Sequence, residues 1–114
     1  MRMRVVAHGI ELSNDMKAFI RRRMQFNLGR FQERIKSLTV RLADMNGPRG
    51  GIDKCCDIRV DAGFRQPVIV SERQATAHAA VALAMDRVER AVKRQLHLER
   101  PASNRATISM SLTL

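Results

Sequence analysis

The amino-acid sequence predicts an α+β domain, in which a four-stranded sheet carries two helices on one face in the order β-α-β-β-β-α. Two patterns favour this class: stretches in which apolar and polar residues alternate, and two longer stretches with apolar residues at spacings of three and four. The 114 residues suit one compact domain, which we expect over 1–100, followed by a short tail over 101–114. Each helix has one apolar stripe, so both can cover the same face of the sheet.

The first strand and the first helix are predicted within residues 3–31. Met3–Ala7 reads as a short strand that Gly9 closes. Ser13 or Asn14 then caps a helix, because a short oxygen side chain accepts a hydrogen bond from a free backbone N–H of the first turn. The helix should run to about Phe31. Its core-facing stripe consists of Met16, Phe19, Ile20, Met24 and Phe31, interrupted by Asn27.

Three further strands follow as a predicted antiparallel meander. Ile35–Ala43 and Cys55–Ala62 both alternate apolar and polar residues with the period of a half-buried strand. The loop between them, 46–51, is rich in Gly and Pro and suits neither a helix nor a central strand. After a turn over 63–67, Val68–Val70 forms the fourth strand.

A long amphipathic pattern predicts the second helix from Ala75 to about Leu98, and we expect Pro101 to end it because proline fits only the first turn of a helix. In the tail, Ile108–Leu114 alternates apolar and hydroxyl residues. Three outcomes fit this pattern equally: an added edge strand, a pairing segment that makes a homo-oligomer, or an unstructured end.

The charge indicates a nucleic-acid partner. Twenty-one Lys and Arg against eleven Asp and Glu leave a net charge of +10, and a field of this sign attracts polyanions. Arginine supplies 17 of the basic residues and meets phosphate oxygens two at a time. An alternative is that arginine is common in high-GC proteomes and only solvates the surface, but such a surface does not usually reach this charge. No stretch suits a signal peptide or a bilayer span, so we expect a cytoplasmic protein with no membrane partner.

Catalytic chemistry is not expected. The sequence has no nucleophile elbow, no phosphate-loop motif and no pair of metal ligands at helical spacing. The adjacent Cys55 and Cys56 are poorly placed to bond to each other, and we interpret one of them as a small core residue. We therefore predict neither an enzyme nor a protein that needs a metal, a cofactor or a small-molecule substrate.

The helices carry most of the informative charge. The first has five basic residues and only Asp15 as an acid, and in the second Arg87, Arg90 and Arg94 form a ridge. Asp86 with Arg90 and Glu89 with Lys93 would be ordinary surface pairs. There is no Trp or Tyr, and Phe19, Phe26 and Phe31 lie on or beside the apolar side of the first helix. The sequence thus favours recognition of RNA backbone and shape over stacking on bases.

Three segments resemble the ribosome hibernation promoting factor family, which includes ribosome-associated inhibitor A and the sigma-54 modulation proteins. They are 12–20 with Arg23 and Met24, the loop segment 44–55, and 79–81 with 85–94. The resemblance implies the fold predicted above, which is similar to a double-stranded-RNA-binding domain, in a short single-domain form.

The resemblance also implies binding to the small ribosomal subunit and its 16S-type rRNA, where the protein would block the tRNA and mRNA channel. The rRNA contacts carried over by position are Arg22, Arg23, Arg87, Arg90, Lys93 and Arg94, with Arg49 and Lys54 from the loop match. Two alternatives remain at this point: a general double-stranded-RNA-binding module, and an oligomeric regulator of an acidic protein partner.

Overall fold

The computed structural model describes residues 1–45 and 53–113, and the side chains of this range up to Leu98. The elements are β1 (Arg2–His8), α1 (Asn14–Leu28), a 3-10 helix (Gly29–Arg34), β2 (Ser37–Asp44), β3 (Lys54–Asp61), β4 (Val68–Gln74) and α2 (Ala77–Thr113). The predicted α+β class and the predicted order of elements are confirmed. The predicted loop over 46–51 lies outside the described residues.

The strands form one sheet in the order β1-β2-β3-β4. The predicted meander is confirmed, since β3 pairs antiparallel with both β2 and β4. β1 pairs parallel with β2, which requires a crossover, and α1 provides it. β4 is longer than predicted, because pairing with β3 continues as far as Gln74 opposite Lys54.

One hydrophobic core joins the sheet to both helices. Alternate strand residues point to the same face, and one row of four apolar residues crosses the whole sheet at Val5, Val40, Ile58 and Val70. Apolar residues of both helices belong to the same buried cluster as the strand residues. Both helices therefore cover one face, as predicted. The helix residues of this cluster that are fully buried are Ile20, Leu28, Ala80, Val81, Ala84, Met85, Val88 and Val92.

Helix α1 begins at the predicted cap. The Ser13 hydroxyl accepts a hydrogen bond from the Met16 backbone N–H at 3.1 Å, which satisfies one of the free donors of the first turn. Gly9 has a φ of 71°, in the left-handed region that glycine adopts most readily, where the chain leaves β1. The α-helix ends at Leu28 and continues as a 3-10 turn, so the predicted end at Phe31 falls within this tighter segment.

Helix α2 is longer than predicted. Its first turn is capped by Thr76, whose hydroxyl accepts from the Ala79 backbone N–H at 3.1 Å. The helix does not stop at Pro101 but runs to Thr113, so of the three outcomes left open for the tail, the added edge strand is not found in its described part. With no strand beside it, the tail satisfies its backbone hydrogen bonds within the helix. Pro101 has no N–H, so the helix lacks one of these bonds at that point. The division at residue 100 stays a prediction.

Candidate nucleic-acid interface

Helices α1 and α2 are joined by a chain of polar contacts that we call the interhelical ladder. Arg23 donates to Asp86 at 2.7 Å and to the Ala82 carbonyl at 3.4 Å. Further along, Arg30 donates to Glu89 at 3.1 Å. Successive positions of α1 meet successive positions of α2, so the two helices run in the same direction. The ladder fixes how the outer surfaces of the two helices are placed against each other.

Asn27 lies at the centre of this ladder. Its amide nitrogen donates to Asp86 at 3.0 Å and to Glu89 at 2.7 Å, and the residue is only 1% exposed. In the sequence, Asn27 stands out only as an interruption of the apolar stripe. A polar residue at a core-facing position of one helix, with two acids three residues apart on the next, is the signal that could have identified the ladder, because a buried amide requires partners.

The ladder changes the interpretation of the charges on α1. The predicted surface pair between Asp86 and Arg90 is not formed, because Asp86 is bound by Arg23 and Asn27 instead. The predicted pair of Glu89 with Lys93 is present at 4.0 Å. Arg23 and Arg30 have no acidic partner nearby in the sequence. In the fold they are paired with Asp86 and Glu89 of α2.

Arg87 is exposed but also has a structural role. Its guanidinium donates to the Ser71 backbone carbonyl at 2.6 Å and to the Glu72 carboxylate at 2.9 Å, which joins α2 to β4. The hydrogen bond from Arg87, aided by one from Gln74, lowers the pKa of Glu72 below its usual value. Arg87 can still meet a phosphate through its free edge, but its removal would also loosen the contact between helix and sheet.

Lys54 opens β3, where it binds Asp44 at the end of β2 at 2.6 Å. The two side chains are 24% and 10% exposed, so the pair closes the end of the β2–β3 hairpin more than it faces a partner. Arg49, the other residue predicted from the loop match, lies outside the described residues.

The remaining predicted contacts form what we call the helical basic surface: Arg22, Arg90, Lys93 and Arg94. All four are exposed. Within the described part of the chain, Arg22, Arg90 and Arg94 take part in no ion pair, and Lys93 has only its long contact with Glu89. Lys17 and Arg21 add two exposed cations on the same helix as Arg22. This surface has the free guanidinium groups that binding to phosphates requires.

Phe26 is a further candidate, and it lies outside the apolar stripe of α1. It is 76% exposed, and the guanidinium of Arg23 lies 5.2 Å from its ring centroid. A shallow depression of about 610 Å³ runs beside it, lined by Ala18, Arg21, Arg22, Gln25 and Phe26. The structure therefore places one exposed aromatic ring on α1, where none was expected. Phe26 falls outside the three-and-four spacing of the apolar stripe, and that spacing was the available signal.

Among the described residues, neither helix is long and apolar enough to cross a membrane.

The fold has solved relatives. The structure of the N-terminal domain of Protein Y from Thermus thermophilus matches with a TM-score of 0.68 at 23% identity, covering 82% of this chain and 98% of that one. A ribosomal subunit interface protein from Coxiella burnetii also matches with a TM-score of 0.68, at 13% identity, covering 82% and 96%. At these identities the likeness shows the fold alone. The comparison with curated protein sequences finds no significant match.

The family itself is shown by sequence. A family model described as sigma 54 modulation protein / S30EA ribosomal protein matches residues 3–98, which include every described element except the first residue of β1 and the end of α2. The resemblance stated from the three segments is thereby confirmed, and the chain belongs to the sigma 54 modulation protein / S30EA ribosomal protein family.

Proposed function

We propose that this protein docks on small-subunit rRNA through the helical basic surface and blocks the path of tRNA and mRNA by its bulk. Family membership makes it a ribosome-associated factor rather than a member of an enzyme family. The finer proposal is supported by one observation above all: the exposed arginines of the helical basic surface have no acidic partner among the described residues, whereas Arg23 and Arg30 do.

Unpaired arginines are the better phosphate ligands, because they have no carboxylate to release before they bind. A guanidinium already held by a carboxylate must give up that partner to bind phosphate, whereas a free one loses only water. Arg22, Arg90 and Arg94 are of the second kind. Each phosphate they neutralise releases counterions, so binding should weaken steeply with salt. A steric block of this kind requires no cofactor and no small-molecule substrate. We infer that the protein acts in the cytoplasm.

The test is co-sedimentation of the protein with isolated small subunits, large subunits and whole ribosomes at two salt concentrations, together with in-vitro translation. We expect the protein to travel with small subunits and whole ribosomes and to slow translation. A helix-surface variant, with Arg22, Arg90 and Arg94 changed to Gln, should lose most of this binding. Arg87 is left unchanged because it also anchors β4.

The matched control changes three other exposed cations, Arg34, Lys36 and Arg65, to Gln. None of these takes part in a described ion pair, and they lie in the 3-10 helix, next to β2 and in the β3–β4 turn. Both variants lose three charges, so only position separates them. Equal loss of binding in the two variants would contradict the proposal. Equal affinity of the wild-type protein for a bare RNA duplex would instead favour the general RNA-binding module.

A further inference from the structure

The face of the sheet opposite the helices is also basic. Side chains on this face alternate with the core residues, and five of them are arginines that come from all four strands. All five are exposed. They are Arg2, Arg4, Arg41, Arg59 and Arg73, and we call this set the sheet arginine face. The helical basic surface lies on the other side of the molecule, beyond the core.

The strand register places these arginines near one another. Arg4 is opposite Thr39, and Thr39 is opposite Arg59, so one row contains two arginines two strands apart. Arg41 lies in the next row on the strand between them. With strands about 4.8 Å apart and alternate residues about 6.6 Å apart, the Cα atom of Arg41 is about 8 Å from those of Arg4 and Arg59.

Acidic residues offset this charge only in part. Arg59 binds Asp61 at 3.2 Å and Arg73 contacts Asp53 at 3.7 Å. Asp57 accepts a hydrogen bond from Ser71 at 2.6 Å. Arg2, Arg4 and Arg41 enter none of the ion pairs found in the part of the chain that the structure describes. Like charges so close repel each other in the free protein, and a bound polyanion would remove that repulsion.

The centre of this face has the shape and the groups to receive RNA backbone. A depression of about 300 Å³ is lined by residues of β2, β3 and β4: Thr39, Arg41, Asp57, Ile58, Arg59, Ile69 and Ser71. Its arginines suit phosphate oxygens, its hydroxyls suit the ribose 2′-OH, and Ile69, which is 62% exposed, offers an apolar surface to the sugar. No Phe, Tyr or Trp lies on the described strands, so stacking on unpaired bases is not the mode of binding.

We propose that the sheet arginine face is a second RNA-binding surface, which holds the sugar-phosphate backbone of a structured RNA segment while the helices hold another. The inference rests on the proposed function and extends it: the protein lies between two RNA segments instead of resting on one. A second copy of the chain is a poor occupant, because five arginines outnumber Asp53, Asp57 and Asp61 on this face, so two net positive surfaces would meet.

The test compares three variants of the full chain, each with three cations changed to Gln. The sheet variant changes Arg2, Arg4 and Arg41, which carry no described ion pair, so the contacts of β3 and β4 stay intact. The helix-surface variant and the control variant are those defined above. Far-UV circular dichroism and urea unfolding first establish that all three are folded. Affinity for isolated small subunits is then measured as a function of salt.

We expect the sheet variant to bind small subunits at least about tenfold more weakly, and the slope of log K against log salt to fall by about 2–3, since each lost phosphate contact removes about 0.7–0.9. The control variant should change both quantities far less. In a second assay at low salt, where duplex binding weaker than small-subunit binding can still be detected, an immobilised 20-base-pair RNA duplex should retain a second, labelled duplex through the wild-type protein. The sheet and helix-surface variants should each bind one duplex and fail to retain the other.

The outcomes separate the two proposals. If the sheet variant behaves like the control while the helix-surface variant loses binding, the sheet arginine face is only solvated and the proposed function stands. If the wild-type protein binds no small subunits, both fail. If binding through the sheet face survives ribonuclease digestion of the partner, the occupant is an acidic protein and the inference is overturned. Loss of binding in the sheet variant, with the control unchanged, supports it.

Discussion

Changing Asn27 to Ala should lower the free energy of unfolding by about 2–4 kcal/mol, because it removes two hydrogen bonds to carboxylates from a buried position. Hydrogen bonds to charged groups contribute about 1.5–3 kcal/mol each. Asp86 and Glu89 keep Arg23 and Arg30 as partners, so the lower end of that range applies to each bond. The Asn27 carbonyl oxygen has no described partner, and its removal offsets part of the loss.

The assay is urea unfolding followed by circular dichroism at 222 nm, since the chain has no Trp or Tyr to report by fluorescence. A change in the midpoint without a change in the slope would assign the effect to stability alone. Gln25→Ala is the matched control: Gln25 is exposed on the same helix and its change should stay within about 0.5 kcal/mol.

A double-mutant cycle makes the test sharper. If the ladder acts as one network, the effects of Asn27→Ala and Asp86→Ala should fall short of additivity by about 1 kcal/mol or more. Additive effects, or an Asn27→Ala protein as stable as the Gln25→Ala control, would show that the ladder does not hold the helices together.

Three further predictions concern pH and the exposed aromatic side chain. Because the bond from Arg87 lowers the pKa of Glu72, the stabilisation it gives is present above the ordinary carboxyl value of 4.5 and is lost as the pH falls through the folded value. In the Arg87→Gln protein, the free energy of unfolding should therefore fall less steeply as the pH is lowered through the acid range. Burial raises the pKa of Cys56 from 9.0 to about 12, so stability should fall by about 4 kcal/mol between pH 9 and 12, and Cys56→Ala should abolish that fall while Cys55→Ala keeps it. Finally, Phe26→Ala should weaken binding to small subunits by about 1–3 kcal/mol, the range for a base stacked on an aromatic ring.

Each of these has a clear contrary result. An acid profile identical in wild-type and Arg87→Gln proteins would mean that the Glu72 contact is not maintained in solution. An alkaline fall that persists in Cys56→Ala would have to come from lysines. Unchanged ribosome affinity of Phe26→Ala would leave that ring as an exposed apolar side chain with no part in binding.

The fold could be predicted from the sequence because each element has a local signal. The alternation around Val40 and Ile58 marks strands, the stripe through Ile20 and Met24 marks a helix, and Ser13 is a good cap. The end of α2 could not be predicted, because the tail can be helical or extended. The helix loses a hydrogen bond at Pro101, and the extended form requires a partner strand. That depends on the whole sheet, which a local pattern does not contain.

The candidate site was harder to predict for the same reason. Arg22 and Arg23 are neighbours of the same type, and the sequence gives them equal weight. Only the arrangement of α2 shows that Arg23 is held by Asp86 and Arg22 is free. The sheet arginine face was missed because its members come from four separate strands, so that no stretch of sequence shows the charges together.

The parallel pairing of β1 also bears on how the domain folds. β3 and β4 are joined by the six residues 62–67, whereas β1 reaches β2 only after the 28 residues from 9 to 36. Closing the longer loop costs more chain entropy, so the pairing of β1 with β2 should form later than the β3–β4 hairpin. Arg2 and Arg4 lie on that strand. RNA bound across Arg4 and Arg41 would tie the late strand to its neighbour, so the ribosome-bound protein should also be the form that resists proteolysis longest.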